Sequence, residues 1–429
     1  MIEAWKCRVV ALALVAASLV SITAACSSPK KTVTPEIAPT EQPGAVTTTV
    51  PQDQGVVFSA VDGNIDAYLS VAPFTKQRVV AAGTGPEGTT PHGQICFAPD
   101  ATKRFVIAET RTPRGFPATA GWGIYQLTGD NIDTFRVRRV GGWDSPGDMS
   151  VDSPTTYGCT FLSDGRLFTT DVGNQRSGPA TGRLVEWFSP FDSAAPTPCV
   201  IADALATPLS LSSDASGAVY LASARTPTAG VWRFRGTFPA AVTGCVKATD
   251  EPAGEPDPTT TTTETRRNVR PPAEGPTPTM PPGPASVTAK RIIDQGSSGL
   301  QTPTGVSVAP SGKALVVTSA ADGLIVAFDL FGAQPEVILP ASQPASPVVR
   351  NPFAVAITPS GAVIYVDSGP STIIDSQVIP ATNAGSIDQI DTSSSRVRPP
   401  ITMAEHLNNP DGIGLYLPPS VSGGSASKV

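Results

Sequence analysis

Six short apolar strands in this chain open on the same small signature, and that recurrence limits the possible folds more than any single residue does. The openings are Pro91-His92-Gly93, Thr156-Tyr157-Gly158, Pro208-Leu209-Ser210, Pro303-Thr304-Gly305, Pro352-Phe353-Ala354 and Pro410-Asp411-Gly412. Most are followed by a polar turn and a second apolar run, as in Ser163-Asp164-Gly165 before Arg166-Leu167-Phe168 and Pro310-Ser311-Gly312 before Lys313-Ala314-Leu315. The signature returns roughly every 50–65 residues, apart from one longer step, which is about the length of a four-stranded blade with generous loops. The chain is therefore expected to be all-β, a six-bladed β-propeller.

The last signature is followed by only one strand before a Ser/Gly-rich tail. Three strand-like runs at the other end, around Val56–Ala60, Ile65–Leu69 and Arg78–Ala81, have no signature ahead of them. Pairing the C-terminal strand with these runs completes a sixth blade and removes the exposed edges an open sheet would carry. The propeller is expected over residues 55–419, with a flexible tail at 420–429. The long step holds a Pro/Thr-rich stretch, about 247–285, that includes Thr259–Thr263 and Pro281-Pro282. Its composition buries too little apolar area to offset ordering entropy, so a disordered loop between the fourth and fifth blades in ring order is expected.

The N-terminus has the layout of an export signal. Lys6 and Arg8 precede an apolar run from Val9 to Val20, too short to span a bilayer comfortably, and small residues follow up to Cys26. The succession Thr23-Ala24-Ala25-Cys26 resembles the bacterial lipoprotein signal. That resemblance implies cleavage of residues 1–25, acylation of Cys26 and a membrane partner held through the lipid. Residues 26–54 are Pro/Thr/Ser-rich and read as a tether, roughly 85 Å long in polyproline form and about 30 Å as a loose coil. An extracytoplasmic, lipid-anchored location at the cell membrane follows. With a formal charge of −6 and 30 Lys plus Arg in 429 residues, the chain lacks the basic footprint of a nucleic-acid binder.

Beyond Cys26 the cysteines are Cys96, Cys159, Cys199 and Cys245, an even number in an exported chain, which points to two disulfides. Three connectivities are possible. Aligning Phe97 with Phe161 sets Cys96 and Cys159 on opposite sheet faces of consecutive blades, which favours Cys96–Cys159 together with Cys199–Cys245. There is no CxxC and no clustered His for zinc.

The run Pro303-Thr304-Gly305-Val306-Ser307-Val308-Ala309-Pro310-Ser311-Gly312-Lys313-Ala314-Leu315 resembles blades of the NHL-repeat and gluconolactonase-like propellers, and 351–367 repeats it. The gluconolactonase resemblance implies a divalent metal at the channel mouth, held by oxygen ligands at the starts of the inner strands. Asp411 matches one such position, whereas Thr304 and Phe353 stand at others, and a hard cation needs several oxygens at once. No metal ligand set is therefore expected. The phrase Phe168-Thr169-Thr170-Asp171-Val172-Gly173 resembles, more faintly, a strand end in the quinone-dependent sugar dehydrogenases, which would make His92 the base.

If the register holds, Asp411, His92, Tyr157, Leu209, Thr304 and Phe353 ring one mouth of the channel. His406, in the segment that delivers the chain to Asn409 and Asp411, is expected to converge with His92 on the polar arc. A histidine beside a carboxylate can move protons near neutral pH. The candidate ligand site is thus His92, Tyr157, Asp411, His406 and Asn409, with no catalytic residue assigned. Gly121-Trp122-Gly123 and Gly141-Gly142-Trp143 look like Trp-bearing turns of a kind that could stack on a sugar or peptide, and are expected to cap blade edges instead. The leading functional reading is a membrane-anchored propeller that binds a ligand or protein partner at the cell envelope, without a cofactor. The alternative is a hydrolase or oxidoreductase at the mouth, using a divalent metal or a quinone.

Overall fold

A computed structural model describes residues 55–84, 88–111, 119–144, 156–173, 180–188, 191, 197–251, 284–330, 334–341, 350–374, 377–392 and 399–418. The signal, Cys26, the tether, the tail and most of the Pro/Thr-rich stretch lie outside them. Apart from one two-stranded hairpin, the described strands form six sheets around a central axis, each antiparallel except for one short added strand in blade 4. Blade 1 runs outward from Pro410–Tyr416 through Val56–Val61 and Asn64–Leu69 to Lys76–Val80. Blade 2 holds Thr90–Phe97, Arg104–Arg111, Thr119–Thr128 and Arg136–Asp144, and blade 3 holds Thr156–Phe161, Leu167–Asp171, Gly182–Trp187 and Pro198–Leu205. Blade 4 holds Pro208–Ser213, Val219–Ser223, Gly230–Thr237 and Ser286–Asp294. Blade 5 holds Pro303–Val308, Ala314–Ser319, Leu324–Asp329 and Glu336–Leu339, and blade 6 holds Pro352–Ile357, Val363–Asp367, Gly385–Ile390 and Ile401–Leu407. All six openings begin innermost strands, and each innermost strand packs on the next around a closed ring. The ring closes as expected: Val56 pairs with Tyr416 and Phe58 with Gly414.

In blades 2 to 6 the residue opposite the opening position explains why the second strands end on acids and hydroxyls, whereas Pro410 of blade 1 faces Val61. Glu109 faces Pro91, Asp171 faces Thr156, Ser223 faces Pro208, Ser319 faces Pro303 and Asp367 faces Pro352. There the side chain can satisfy backbone donors that have left the ladder. Asp367 Oδ1 accepts from the Asn351 and Gly369 N–H groups, both at 2.8 Å, and Ser319 Oγ accepts from Thr302 N–H at 2.9 Å. The segments feeding the inner strands of blades 5 and 6 are thereby pinned at one height. All the opening residues lie on one face of the ring, and the inner strands finish on the other, where Gly55 and Pro418 also lie.

Both disulfides have the expected pairing. Cys96–Cys159 joins the inner strands of blades 2 and 3, and Cys199–Cys245 joins the outer strand of blade 3 to the segment after the third strand of blade 4. With sequence separations of 63 and 46, each restricts the unfolded chain by about 4 kcal/mol on chain-entropy grounds.

Two expectations are corrected. The Pro/Thr-rich stretch does not separate blades 4 and 5; it interrupts blade 4 between its third and fourth strands, because Ser286–Asp294 returns to pair with Gly230–Thr237. Its first residues are ordered: Thr249–Asp250 adds a short parallel strand to the outer edge, and buried Glu251 meets Arg235 at 2.9 Å and Lys290 at 3.5 Å. The two Gly-Trp segments are paired strands, not turns, with Trp122 opposite Trp143. Trp122 is fully buried, and Trp143 packs on Trp187 of blade 3 with ring centroids 5.1 Å apart. The glycines beside them are there for close packing: a Cβ on Gly121 would lie 2.2 Å from the Trp143 carbonyl oxygen.

Candidate functional site

The mouth forms where six inner strands approach one another too closely for ordinary side chains. A Cβ on Gly412 would lie 1.6 Å from the Gly93 carbonyl oxygen, and one on Gly158 would lie 1.9 Å from that of Leu209. This accounts for the small third residue of each signature, Gly, Ser or Ala. Blades 3 and 5 share a further device. Gly158 N–H donates to Thr170 Oγ1 at 2.7 Å, and that hydroxyl donates to the Leu209 carbonyl of the next blade at 2.8 Å. Gly305, Thr318 and Phe353 repeat the relay at 2.8 and 3.2 Å.

The residue before each of these positions faces the axis, and the structure brings Asp411, His92 and Tyr157 to one rim as expected. Tyr157 has a different task from the one its phenol suggests. Its hydroxyl donates to the backbone carbonyl of Asp411, two blades away. Its ring meets Phe353 of the diametrically opposite blade edge-on, with centroids 5.4 Å apart. Together with Leu209, Val172 and Ala224 these rings form an apolar plug across the mouth. Burial holds the Tyr157 phenol well above its ordinary pKa, and the nearby Asp411 adds to the effect. Thr304 is buried as well, its hydroxyl 3.2 Å from that of Thr318.

A second brace was missed in the sequence. Gln94 reaches past blade 3 to blade 4: its amide nitrogen donates to the Leu211 carbonyl at 2.7 Å, and Oε1 accepts from Leu211 N–H at 2.9 Å and Cys159 N–H at 3.2 Å. The available signal was its position, an axis-facing polar residue two places after His92.

His92 and Asp411 sit on adjacent blades, and each keeps part of its surface open to the lumen although protein encloses it on every side. Desolvation dominates both. Burial lowers the His92 imidazole to about 4, so it is neutral at physiological pH, with Nε2 3.2 Å from the Thr110 hydroxyl. Burial raises the Asp411 carboxyl to about 7, against the opposing pull of the Gly93 N–H that Oδ1 accepts at 3.2 Å. No hydrogen bond joins the two. Near neutrality the rim thus offers a neutral imidazole and a carboxyl that can give or take a proton.

His406 does not converge on this rim. It lies in the outermost strand of blade 6, 79% exposed, with its ring 3.7 Å from Glu405, because the chain must still cross the width of the blade before Asp411. Asn409 is an exposed turn residue at φ 45° on that crossing. Among the described residues no three His, Cys, Asp or Glu side chains come together as a metal site.

No protein-family model matches the chain, and no curated protein matches it. Solved structures with a similar course include the nidogen/laminin complex, at 13% identity over 84% of this chain and 98% of that one, with a TM-score of 0.49. The periplasmic gluconolactonase of Pseudomonas aeruginosa is 11% identical over 85% of this chain and 100% of that one, also at 0.49. A putative 6-phosphogluconolactonase from Bacteroides uniformis is 11% identical over 85% and 99%, at 0.43. The assignment of this chain as a six-bladed propeller rests on its own closed ring of sheets.

Proposed function

We propose that the chain is an extracytoplasmic, lipid-anchored propeller that binds a ligand or protein partner at the cell envelope. The polarity of the ring carries this reading. Gly55 and Pro418 leave from the face where the inner strands finish, and Pro284 brings the Pro/Thr-rich stretch back on that same face. The opposite face carries the connections between second and third strands, of which the one in blade 6 holds a separate hairpin of Ser371–Ile374 with Gln377–Pro380. A tether arriving at Gly55 would leave that second face free for a partner. Two disulfides suit an oxidising compartment. The Tyr157 plug favours recognition over turnover on the axis. The test is fractionation: wild type should sediment with membranes and Cys26→Ala should become soluble, and equal membrane retention of the two would overturn the anchor.

A hydrolase at the mouth is the second reading, favoured by the raised Asp411 carboxyl beside a neutral imidazole. Turnover of a sugar lactone by the Cys26→Ala protein with a divalent cation, lost in Asp411→Ala, would replace binding by catalysis.

A further inference from the structure

We infer that Cys245–Glu251 is a redox-latched strap over a strand-addition site: closed, it occupies the outer edge of blade 4, and opening of Cys199–Cys245 yields that edge to an extended acidic segment of a protein partner. The strap is an addition to a finished sheet. Five blades are complete with four strands, and blade 4 has its own four before Thr249–Asp250 joins them. That two-residue strand is the shortest, and its pairing the only parallel one, among the described residues.

The hold on the strap divides between two blades. On blade 3, Cys245 is bonded to Cys199, Lys247 forms an exposed ion pair with Asp203, and Ala248 N–H donates to the Ile201 carbonyl at 2.8 Å. Val246 and Ala248 are only partly buried against the core there, and exposed ion pairs contribute little, so the disulfide is the main attachment on this side. On blade 4, Glu251 N–H donates to the Ala289 carbonyl at 2.9 Å. The Glu251 side chain is 2% exposed, and its carboxylate meets Arg235 at 2.9 Å, Lys290 at 3.5 Å and Arg233 at 3.6 Å.

The two disulfides differ in access. Cys96 and Cys159 are both buried in the core between blades 2 and 3, whereas Cys245 is exposed and only its partner Cys199 is covered. Exchange requires a thiolate to reach a sulfur. A dithiol reductant attacks the Cys245 sulfur, the S–S bond breaks, and Cys199 leaves as a thiolate and takes up a proton. The reductant's second thiol then displaces Cys245, so the protein gains two electrons and the reductant ends as a disulfide.

The occupant follows from what the strap supplies. Its departure bares the outer edge at Thr288 and Ala289, whose backbone groups can take a new strand. Thr249 pairs with Thr288 and Asp250 with Ala289, so Glu251 falls beside Lys290, on the face that carries Arg233. A partner strand in this register runs parallel to Ser286–Asp294 and sets a carboxylate among the same cations. A basic segment would meet like charge there. Once opened, the strap stays tethered and competes for the edge at high effective concentration, so weakening it favours the partner.

The test uses the full chain carrying Cys26→Ala, with a fluorescein-labelled peptide of residues 246–251 as the probe. Dithiothreitol should open Cys199–Cys245 and spare Cys96–Cys159, read by mass after alkylation in denaturant. The Ala248 and Glu251 amides should then exchange hydrogen at least about tenfold faster. Anisotropy should show saturable binding of the peptide to the opened chain and at least about tenfold weaker binding to the oxidised one. The peptide carrying Glu251→Gln should bind less tightly, whereas Glu251→Gln in the opened chain should tighten binding of the unaltered peptide. Opening of both disulfides together would overturn the difference in access, and the Cys199→Ser, Cys245→Ser double variant would then serve as the opened chain. Unchanged exchange at Ala248 and Glu251, or equal peptide binding by the opened and oxidised chains, would overturn the latch. Absence of saturation with the opened chain would overturn the strand-addition site, and equal binding of the two peptides would overturn the acid requirement. None of these outcomes depends on the lipid anchor or on the axial mouth.

Discussion

The joints between blades 1 and 2 and between blades 5 and 6 are built on the same register and differ in what fills them. In the first, Phe58 touches Phe97, Phe105, Phe135 and Tyr416 at centroid distances of 5.1 to 6.5 Å, in a cluster that includes Tyr125 and Leu127. In the second, alanines face isoleucine and valine across a cleft. The first joint lies against the sheet that closes the ring, where Pro410–Tyr416 pairs with Val56–Val61 and no turn joins the two strands. In blades 5 and 6 a short turn joins the inner strand to the second strand. Phe58 and Tyr416 both belong to the closing pair, so the large rings are concentrated beside the one inner strand that no turn ties to its neighbour, and space is left where a turn does.

Removing the closing strand is the harshest way to break this comparison. Truncation after Asn409 deletes Pro410–Tyr416 and with it the inner strand of blade 1. Cooperative unfolding should disappear, whereas truncation after Pro419 should leave it intact; equal melting temperatures would refute the closure. Next in size is Phe58→Ala, which should cost about 3–5 kcal/mol in denaturant unfolding. Val316→Ala, its register equivalent in blade 5, should cost well under half of that, because the site already borders a space. Similar losses at the two positions would show the joints to be equally packed.

A smaller effect concerns the mouth. The folded Asp411 holds its proton up to about pH 7, whereas an unfolded carboxyl releases it near 4. Stability from this group is therefore full at low pH, falls as pH rises through that window and stays flat above it. Glu186, raised to about 7 by burial against the pull of Arg166, adds a slope of the same sign. His92 opposes both, since its contribution is present above about 6.5 and lost as pH falls toward 4. Asp411→Asn keeps an acceptor for Gly93 and removes only the first effect. It should match wild type at pH 4 and exceed it at pH 8 by roughly 2 kcal/mol, at 1.36 kcal/mol per unit and discounted for the side chain's opening to the lumen. An unchanged pH profile would refute the raised carboxyl. Smallest of all, Tyr157→Phe leaves the Asp411 carbonyl without its cross-ring donor and should cost about 1–2 kcal/mol by urea unfolding.

The architecture was legible in the sequence because the opening signature answers a local need that recurs: a small third residue lets neighbouring inner strands touch, and Gly158 and Gly412 say so in the chain itself. The closing blade and the disulfides followed from the same alignment. The placement of the Pro/Thr-rich stretch was not legible, since Ser286–Asp294 is an outer strand and carries no signature. Trp122 and Trp143 misled because flanking glycines mark turns as readily as close-packed strands. At the mouth, His92 and Asp411 were placed by register alone. The reach of Tyr157 to a carbonyl two blades away, and of Gln94 past blade 3, depends on side-chain paths across a lumen that no strand pattern encodes. The cleft was hidden for a related reason: Val316 and Ile390 are unremarkable singly and make a gap only when two sheets face each other.

The closing sheet also sets an order of events for folding. Ser59 Oγ donates to the Gly412 carbonyl at 2.8 Å, across a sequence separation of 353 residues. Until the last strand is made, Val56–Val61 has a bare edge that could pair with another chain. Ring closure must also meet the entropy of bringing together the ends of almost the whole polypeptide, a cost that grows only slowly with length. The ribosome releases Pro410–Tyr416 last of the described strands, so blades 2 to 6 can assemble while blade 1 waits. The interval between release of the last strand and its docking is when this chain is most exposed to aggregation and proteolysis.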